Sequence, residues 1–372
     1  MARNNNKPDV YKGRRKKLNV LGIVLSAVAV LIVALFVLFG AFQKYIVYSN
    51  NGISLELPIL ATPGAEEDEG QRVFEQVNAE LEITEPDYSD IESQVDEEMG
   101  ELRAIFVPAA NVTTEGITPY VNKLKSVGGN ALVLEVKPTS GQLVWASSVQ
   151  LAADYGTAGT TDLGVLANTL KEQGIYLVAQ LSCCTDDLLA QRCPSTALTL
   201  PGGTPYSDED GYWMDPYNAT VTGYLTDLCR ELVGYGFDEL LFKNLAMPQT
   251  DAALNYTVKL SSLPTPTSAV CGLAMDLTTA NTDVLCSVIL DTTSLRNGLS
   301  AQSGQNLSVF AKLFDRMYAS AGTIWQATVD RSSVDYWMYD GDLALRFIPI
   351  LGFQDTTGTF ANWVYRVPEG ML

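Results

Sequence analysis

Asp238-Glu239-Leu240-Leu241-Phe242-Lys243-Asn244-Leu245-Ala246-Met247-Pro248 is the stretch on which the fold turns. Its centre is a short unbroken apolar run, the pattern of a strand buried on both faces. It then gives way to a polar pair and a proline, so the strand ends at Lys243 and Asn244 and opens into a loop. In parallel α/β proteins the loops after the strands carry the functional groups. Here that position holds an amine and an amide, and no carboxylate.

Working outward, runs of the same kind occur at 102–108, 131–136, 175–181, 284–290, 314–319, 347–351 and 363–367. Helical spacing separates several of them, at 114–125, 162–173, 217–234, 268–279 and 306–313, with Gly128-Gly129 and Gly174 placed as C-terminal stops. Buried strands alternating with helices predict a parallel sheet covered on both faces. Eight such runs in roughly 270 residues have the size of a (β/α)8 barrel. A doubly wound open sheet is the alternative, weakened because no Gly-x-Gly-x-x-Gly follows the first strand.

The chain has 372 residues, 47% of them hydrophobic, and a net charge of −19. That balance argues against nucleic acid as a partner, since phosphate binding needs basic patches. No histidine is present, which excludes Ser-His-Asp and Cys-His nucleophiles, histidine bases and histidine-ligated zinc. The six cysteines have no Cys-x-x-Cys spacing. Either Cys183 or Cys184 bridges Cys193, or all are buried free thiols.

Residues 18–42 are apolar except for Asn19 and Ser26, long enough for a transmembrane helix. Lys12, Arg14, Arg15, Lys16 and Lys17 precede it, and only Lys44 follows closely. The positive-inside bias then leaves the N-terminus in the cytoplasm and the rest outside it. The run is too long for the core of a cleaved signal peptide. Residues 65–100 carry fourteen Asp and Glu against Arg72 alone, an extended acidic stalk with a short helix spaced by Phe74, Val77 and Leu81. The expected organisation is a basic cytoplasmic tail (1–17), a single-pass membrane anchor (18–42), an acidic linker (43–100) and the barrel (101–372).

Walking the expected strand ends gives Glu135 and Lys137, then Asp186 and Asp187, Asp215, Lys243 and Asn244, Asp291, Tyr318, and Gln354 with Asp355. Glycoside cleavage uses two carboxylates flanking the scissile bond, and Glu135, Asp186, Asp215 and Asp291 form the pool. Each also has a structural alternative: Asp186 as a turn cap, Asp215 as a backbone acceptor at Pro216, Glu135 paired with Lys137 or Lys243. Loop aromatics, among them Trp145, Tyr206, Tyr212, Trp213, Tyr217, Trp325 and Trp337, either stack on sugar rings or anchor loops, and packing is expected for most. No cofactor or metal is indicated, although Ca²⁺ on carboxylates stays open.

Taken in order, these stretches resemble a bacterial family of surface-directed, proposed glycoside hydrolases whose domain is a TIM barrel. The similarity runs through Leu102–Val107, Asn130–Lys137 with the Gly141 turn, Gly174–Ala179, Trp213-Met214-Asp215-Pro216-Tyr217 and Gly236–Glu239. It spans roughly residues 101–367 and is loose beyond 248. In the fourth strand the family pattern is Phe-Asp-Tyr-x-Arg-Phe-Pro, and Lys243 and Ala246 here replace its aspartate and arginine. Together with the apolar run, the resemblance implies a membrane-anchored extracytoplasmic barrel acting on or engaging a carbohydrate polymer, with the cell envelope as its expected source. Glu135 with Asp215 or Asp291 are the expected catalytic carboxylates, and Lys137, Asp186, Trp213, Tyr217, Lys243 and Asn244 the expected substrate contacts; of the charged ones the resemblance carries Glu135, Lys137 and Asp215. The alternative is a catalytically degenerate barrel that binds a glycan or a surface protein.

Overall fold

The computed structural model describes residues 46–49, 52–55, 99–257, 265–337, 343–356, 358–368 and 370–372. The chain divides into two units, Met1–Glu85 and Pro86–Leu372. In the first, Ile46–Ser49 and Gly52–Leu55 pair as an antiparallel hairpin where only a linker was expected. The apolar run 18–42, the basic tail and the acidic stretch to residue 98, with its expected short helix, lie outside the described residues. Among the described residues no helix is long and apolar enough to cross a membrane.

The second unit is a closed barrel of eight parallel strands. They are β1 (Arg103–Val107), β2 (Ala131–Lys137), β3 (Tyr176–Ser182), β4 (Glu239–Lys243), β5 (Leu285–Ile289), β6 (Arg316–Ala321), β7 (Phe347–Leu351) and β8 (Trp363–Tyr365). Each falls on one of the eight apolar runs. Spatial order follows chain order, and β8 closes on β1 through Trp363 against Arg103. The backbone N–H of Leu102 donates to Asn362 Oδ1 at 2.6 Å beside that seam. The open-sheet alternative is excluded, because the closed ring leaves no edge strand.

Outside the ring lie α1 (Thr118–Ser126), α2 (Leu163–Lys171), α3 (Ala219–Gly234), α4 (Pro266–Thr279), α5 (Leu307–Leu313) and α6 (Ile324–Trp337). Polar side chains start several of them, as helix N-termini require. Asp162 accepts from Val165 N–H, Asn218 from Thr220 N–H, Thr265 from Ser268 N–H and Asn306 from Ser308 N–H. Helix α6 had no counterpart in the sequence reading: only Ala327, Asp330 and Val334 of it are buried, too few to mark a helical stripe. No helix is described between β7 and β8.

The alternating side chains of the strands build two apolar cores. One fills the barrel, with Ala104, Val133, Val178, Leu241, Ile348 and Val364 among its members. The other, larger one joins barrel to helices, from Leu132, Leu177 and Phe242 to Leu166 and Leu225. Burial of this kind contributes about 25 cal/mol per Å² of apolar surface removed from water.

The barrel floor is polar. Glu239, fully buried at the start of β4, accepts from Ser287 Oγ at 2.7 Å, Tyr318 Oη at 2.6 Å, Arg316 Nη1 at 2.5 Å and Tyr176 Oη at 3.2 Å. Arg316 also donates to the carbonyls of Gly100 and Leu345. Tyr318, expected at the end of the sixth strand, instead stands inside it as part of this network. Removing one partner of a buried ion pair costs about 3–5 kcal/mol. Glu239→Ala should therefore lower unfolding stability by that amount in urea titration. A loss no larger than the roughly 1 kcal/mol of a surface pair would show that the floor network is dispensable.

Candidate functional site

At its C-terminal end β4 leaves the barrel with Asn244 in the left-handed region, φ 51°, the sole non-glycine residue so placed among the described ones. Asparagine tolerates this conformation better than other L-residues. The Asn244 carbonyl accepts from Cys184 N–H at 3.0 Å and its amide Nδ2 donates to Thr185 Oγ1 at 2.7 Å, so the turn is fixed from both ends. Beyond it, Gln305 Nε2 donates to the carbonyls of Leu245 and Ile289. One amide thus ties the loop after β4 to the end of β5.

Between these loops and a two-residue ribbon, Ser207–Asp208 paired with Gly211–Tyr212, lies a cleft of about 810 Å³. The ribbon wall brings Tyr206, Asp208, Glu209, Asp210 and Trp213; the loop after β4 brings Asn244, Ala246 and Met247; β5 and β6 bring Ile289, Asp291 and Ser320. Asp208 Oδ1 is committed to Trp213 Nε1 at 2.8 Å and Asp210 N–H at 2.9 Å. Partial burial, with the carboxylates of Asp208 and Glu209 beside it, raises the Asp210 carboxyl above its ordinary range; the Lys243 ammonium opposes the shift. Asp291 caps the helix Thr292–Asn297, and its oxygens accept from Ser294 N–H, Ser294 Oγ and Ser303 Oγ at 2.7, 2.9 and 2.6 Å.

The residues singled out in the sequence divide sharply. Asp291, Trp213 and Asn244 line the cleft. Lys243 ends β4 half-buried, with Asp210 as its charged neighbour. Glu135 points into the barrel mouth, where Oε2 accepts from Ala109 N–H at 3.3 Å and Gln180 Nε2 lies 3.5 Å from Oε1. The pairing expected for Glu135 with Lys137 or Lys243 is not made.

Asp215 is wholly buried. It accepts from Tyr217 N–H at 3.0 Å and from Thr257 N–H and Oγ1 at 2.6 and 2.8 Å. Its oxygens pin two loops together away from the cleft, the backbone-acceptor role that the sequence also allowed. Tyr217 packs edge-on against Tyr256, centroids 5.3 Å apart, and burial pushes its phenol up to about 12.

Lys137 and Asp186, expected to touch substrate, hold each other instead: Nζ and Oδ2 are 2.9 Å apart, both side chains wholly buried. Lys137 also donates to Ser182 O at 2.8 Å, and Asp186 Oδ1 caps Leu189 N–H at 2.8 Å. A side chain at Gly141 would bring its Cβ to 1.8 Å from Asp186 Oδ1, and φ there is +80°. The Gly141 turn is thus shaped around this ion pair. The six cysteines are free, so the bridge to Cys193 is not formed; burial pushes the Cys184 and Cys286 thiols up to about 12, which keeps them protonated. Trp145 is core and donates to Glu231, whereas Trp325 is exposed.

Sequence reasoning passed over Asp208, Glu209 and Asp210. The signal was a Ser-Asp-Glu-Asp-Gly turn between Tyr206 and Tyr212, ordinary for a solvated loop until the fold sets it over the barrel mouth. Among the described residues no group of three or more His, Cys, Asp or Glu is arranged to hold a metal ion.

A closed (β/α)8 barrel with an acidic cleft on its C-terminal face has the architecture of a TIM barrel, with its cleft at the face where such barrels carry their sites. Residues 104–318 match the family described as "Putative glycosyl hydrolase domain", and the chain belongs to that family. No curated protein matches it. Among solved structures, a hypothetical protein from Ruminiclostridium thermocellum is similar at 22% identity, over 50% of this chain and 96% of that one, with a TM-score of 0.43. An alpha-galactosidase from Thermus thermophilus is similar at 13% identity, over 73% of this chain and 59% of that one, TM-score 0.45. For a Geobacillus stearothermophilus alpha-galactosidase the values are 12%, 72%, 39% and 0.43. The chain therefore spans less than two thirds of either galactosidase.

The Lys137–Asp186 pair is open to a direct test. Lys137→Met, which strands a dry carboxylate, should cost about 3–5 kcal/mol of stability. Lys137→Met/Asp186→Asn, uncharged and still able to cap, should regain a substantial part. Equal losses in the single and double variants on thermal denaturation would remove the pair from the account.

Proposed function

We propose that this chain engages a carbohydrate polymer through the cleft on the C-terminal face of its barrel, as a binding member of a hydrolase family. The observation that carries the reading is the cleft itself. It offers the half-buried Tyr206 ring beside side-chain acceptors on the exposed Glu209 and Asp210, with the buried Trp213 packed behind them and tied to Asp208, at the strand ends where such barrels bind ligands. Lys243 stands where the resemblance places a carboxylate, and an ammonium neither attacks an anomeric carbon nor stabilises an oxocarbenium ion. The apolar run 18–42, with its cluster of basic residues on one side, supports display of the barrel outside the cytoplasm on a membrane anchor. The cell envelope is then the nearest source of such a polymer.

Tyr206→Ala should weaken binding of a soluble oligosaccharide about tenfold, the loss of roughly one stacked ring. Calorimetry against cellotetraose, chitotetraose and maltotetraose reads this out. Wild-type protein that binds none of the three, nor envelope fragments of its own cell type, would remove the carbohydrate reading.

One observation favours a second reading, hydrolysis. Asp210 is held above the ordinary carboxyl range as a general acid requires, and Asp291 shares its cleft. The acid must carry its proton, so sugar release would be present at low pH and lost as pH rises through the raised Asp210 pKa. Asp210→Asn would lower release at least a hundredfold, the usual contribution of a positioned acid. Equal release by wild type and Asp210→Asn at every pH would eliminate this mechanism.

A further inference from the structure

Two of the most exposed large side chains of the barrel are aromatic and belong to one helix. Trp325 is 76% exposed and Tyr336 74%, both on α6, with Val329 at 41% between them. The opposite face, Ala327, Asp330 and Val334, packs inward. Eleven residues separate the two rings, about 16 Å along a helix axis. Between and beside them runs a groove of about 420 Å³, which shares no lining residue with the cleft, although Leu295 of the cleft and Arg296 of the groove are neighbours on one short helix.

The groove is fixed in shape. Trp337 lies against Gly298, where a Cβ would come within 2.2 Å of the indole, so only glycine admits the ring. Tyr336 stands edge-on to Trp337 at 5.0 Å and 88°, which holds its phenol ring at the surface. The floor is lined with hydroxyls whose protons are already given away. Thr328 Oγ1 donates to Ile324 O at 2.9 Å, Ser332 Oγ to Thr328 O at 3.0 Å and Ser333 Oγ to Val329 O at 3.2 Å. Their remaining lone pairs only accept hydrogen bonds. Arg296 adds a guanidinium at the edge.

Exposed ring faces that far apart, with acceptor oxygens between them, suit an extended ligand with apolar faces and many hydroxyl donors. A second copy of the chain suits them less, because two molecules of charge −19 repel; an uncharged polymer meets no such opposition. We propose that the outer face of α6 is a second, non-catalytic glycan-binding platform, on which Trp325 and Tyr336 stack sugar units of one polymer chain. The proposal rests on the carbohydrate reading of the protein but not on the cleft, so the two are separable.

The test uses the full-length protein with four insoluble polymers, cellulose, chitin, raw starch and purified peptidoglycan, alongside the soluble tetrasaccharides. Wild type should be retained by at least one polymer. Trp325→Ala/Tyr336→Ala should be retained at least tenfold less, with unchanged melting and unchanged tetrasaccharide affinity. Trp325→Phe/Tyr336→Phe, which keeps both rings, should recover most of the retention. The platform is overturned if the alanine pair is retained like wild type, or if no polymer retains wild type. It is overturned equally if sedimentation shows a self-association that the alanine pair abolishes. Loss of retention in Tyr206→Ala alone would assign polymer binding to the cleft and not to α6. Loss in the alanine pair alone, with no tetrasaccharide bound by any form, would keep the platform and discard the cleft.

Discussion

One buried carboxylate, Glu239, joins four consecutive strands. Its donors come from β3, β5 and β6 while it stands on β4, so half the ring is tied at its base to a single group. A parallel barrel needs its strands held at a common register, and side chains layered inside the ring do this by filling it. Here the floor layer does it by charge and hydrogen bonds. The cost of drying Glu239 and Arg316 is offset because every carboxylate lone pair in reach has a donor. With the base so fixed, the ends of β4, β5 and β6 open at a defined spacing, and the cleft takes its shape from them.

The rim repeats the device on the other side of the mouth. Lys137 on β2 and Asp186 after β3 neutralise each other in a site without water, and the Gly141 turn closes over them. Lys137 and Gly141 belong to the stretches that carry the resemblance to the family. What they do in this chain is hold the loops after β2 and β3 against each other, so that the ribbon bearing Asp208, Glu209 and Asp210 stands where it does. Asp215 and Thr257 bind the next pair of loops in the same manner. Three of the polar groups most visible in the sequence thus serve the frame around the cleft.

The cleft wall has a different character. Its carboxylates are partly wet and crowd one another, and the nearest cation, Lys243, replaces the acid that the resemblance leads one to expect. A site of this charge retains the means to accept hydrogen bonds from hydroxyl groups. On the binding reading proposed above, the strand-four carboxylate that the resemblance leads one to expect, which would form or stabilise a glycosyl intermediate, is absent. Binding survives such a change more readily than bond cleavage, because binding draws on many contacts and the covalent step on one.

The sequence by itself determined the order and kind of the elements. Each strand is a short apolar run bounded by turn residues, a signal held within a few neighbours, so all eight were legible, as were the capped helices α2 to α5. Helix α6 was not, since its outward side carries rings in place of charges. Which carboxylates meet was beyond reach of the chain read in one dimension. Asp186 and Lys137, Asp215 and Thr257, and Glu239 and Arg316 are partners 42 to 77 residues apart, brought together only by the tertiary fold. The acidic turn at 208–210 looks like any solvated loop until the tertiary structure sets it above the end of β4. Local chemistry specifies strands and helices; which side chains share a cleft is decided by long-range packing, which no run of neighbouring residues encodes.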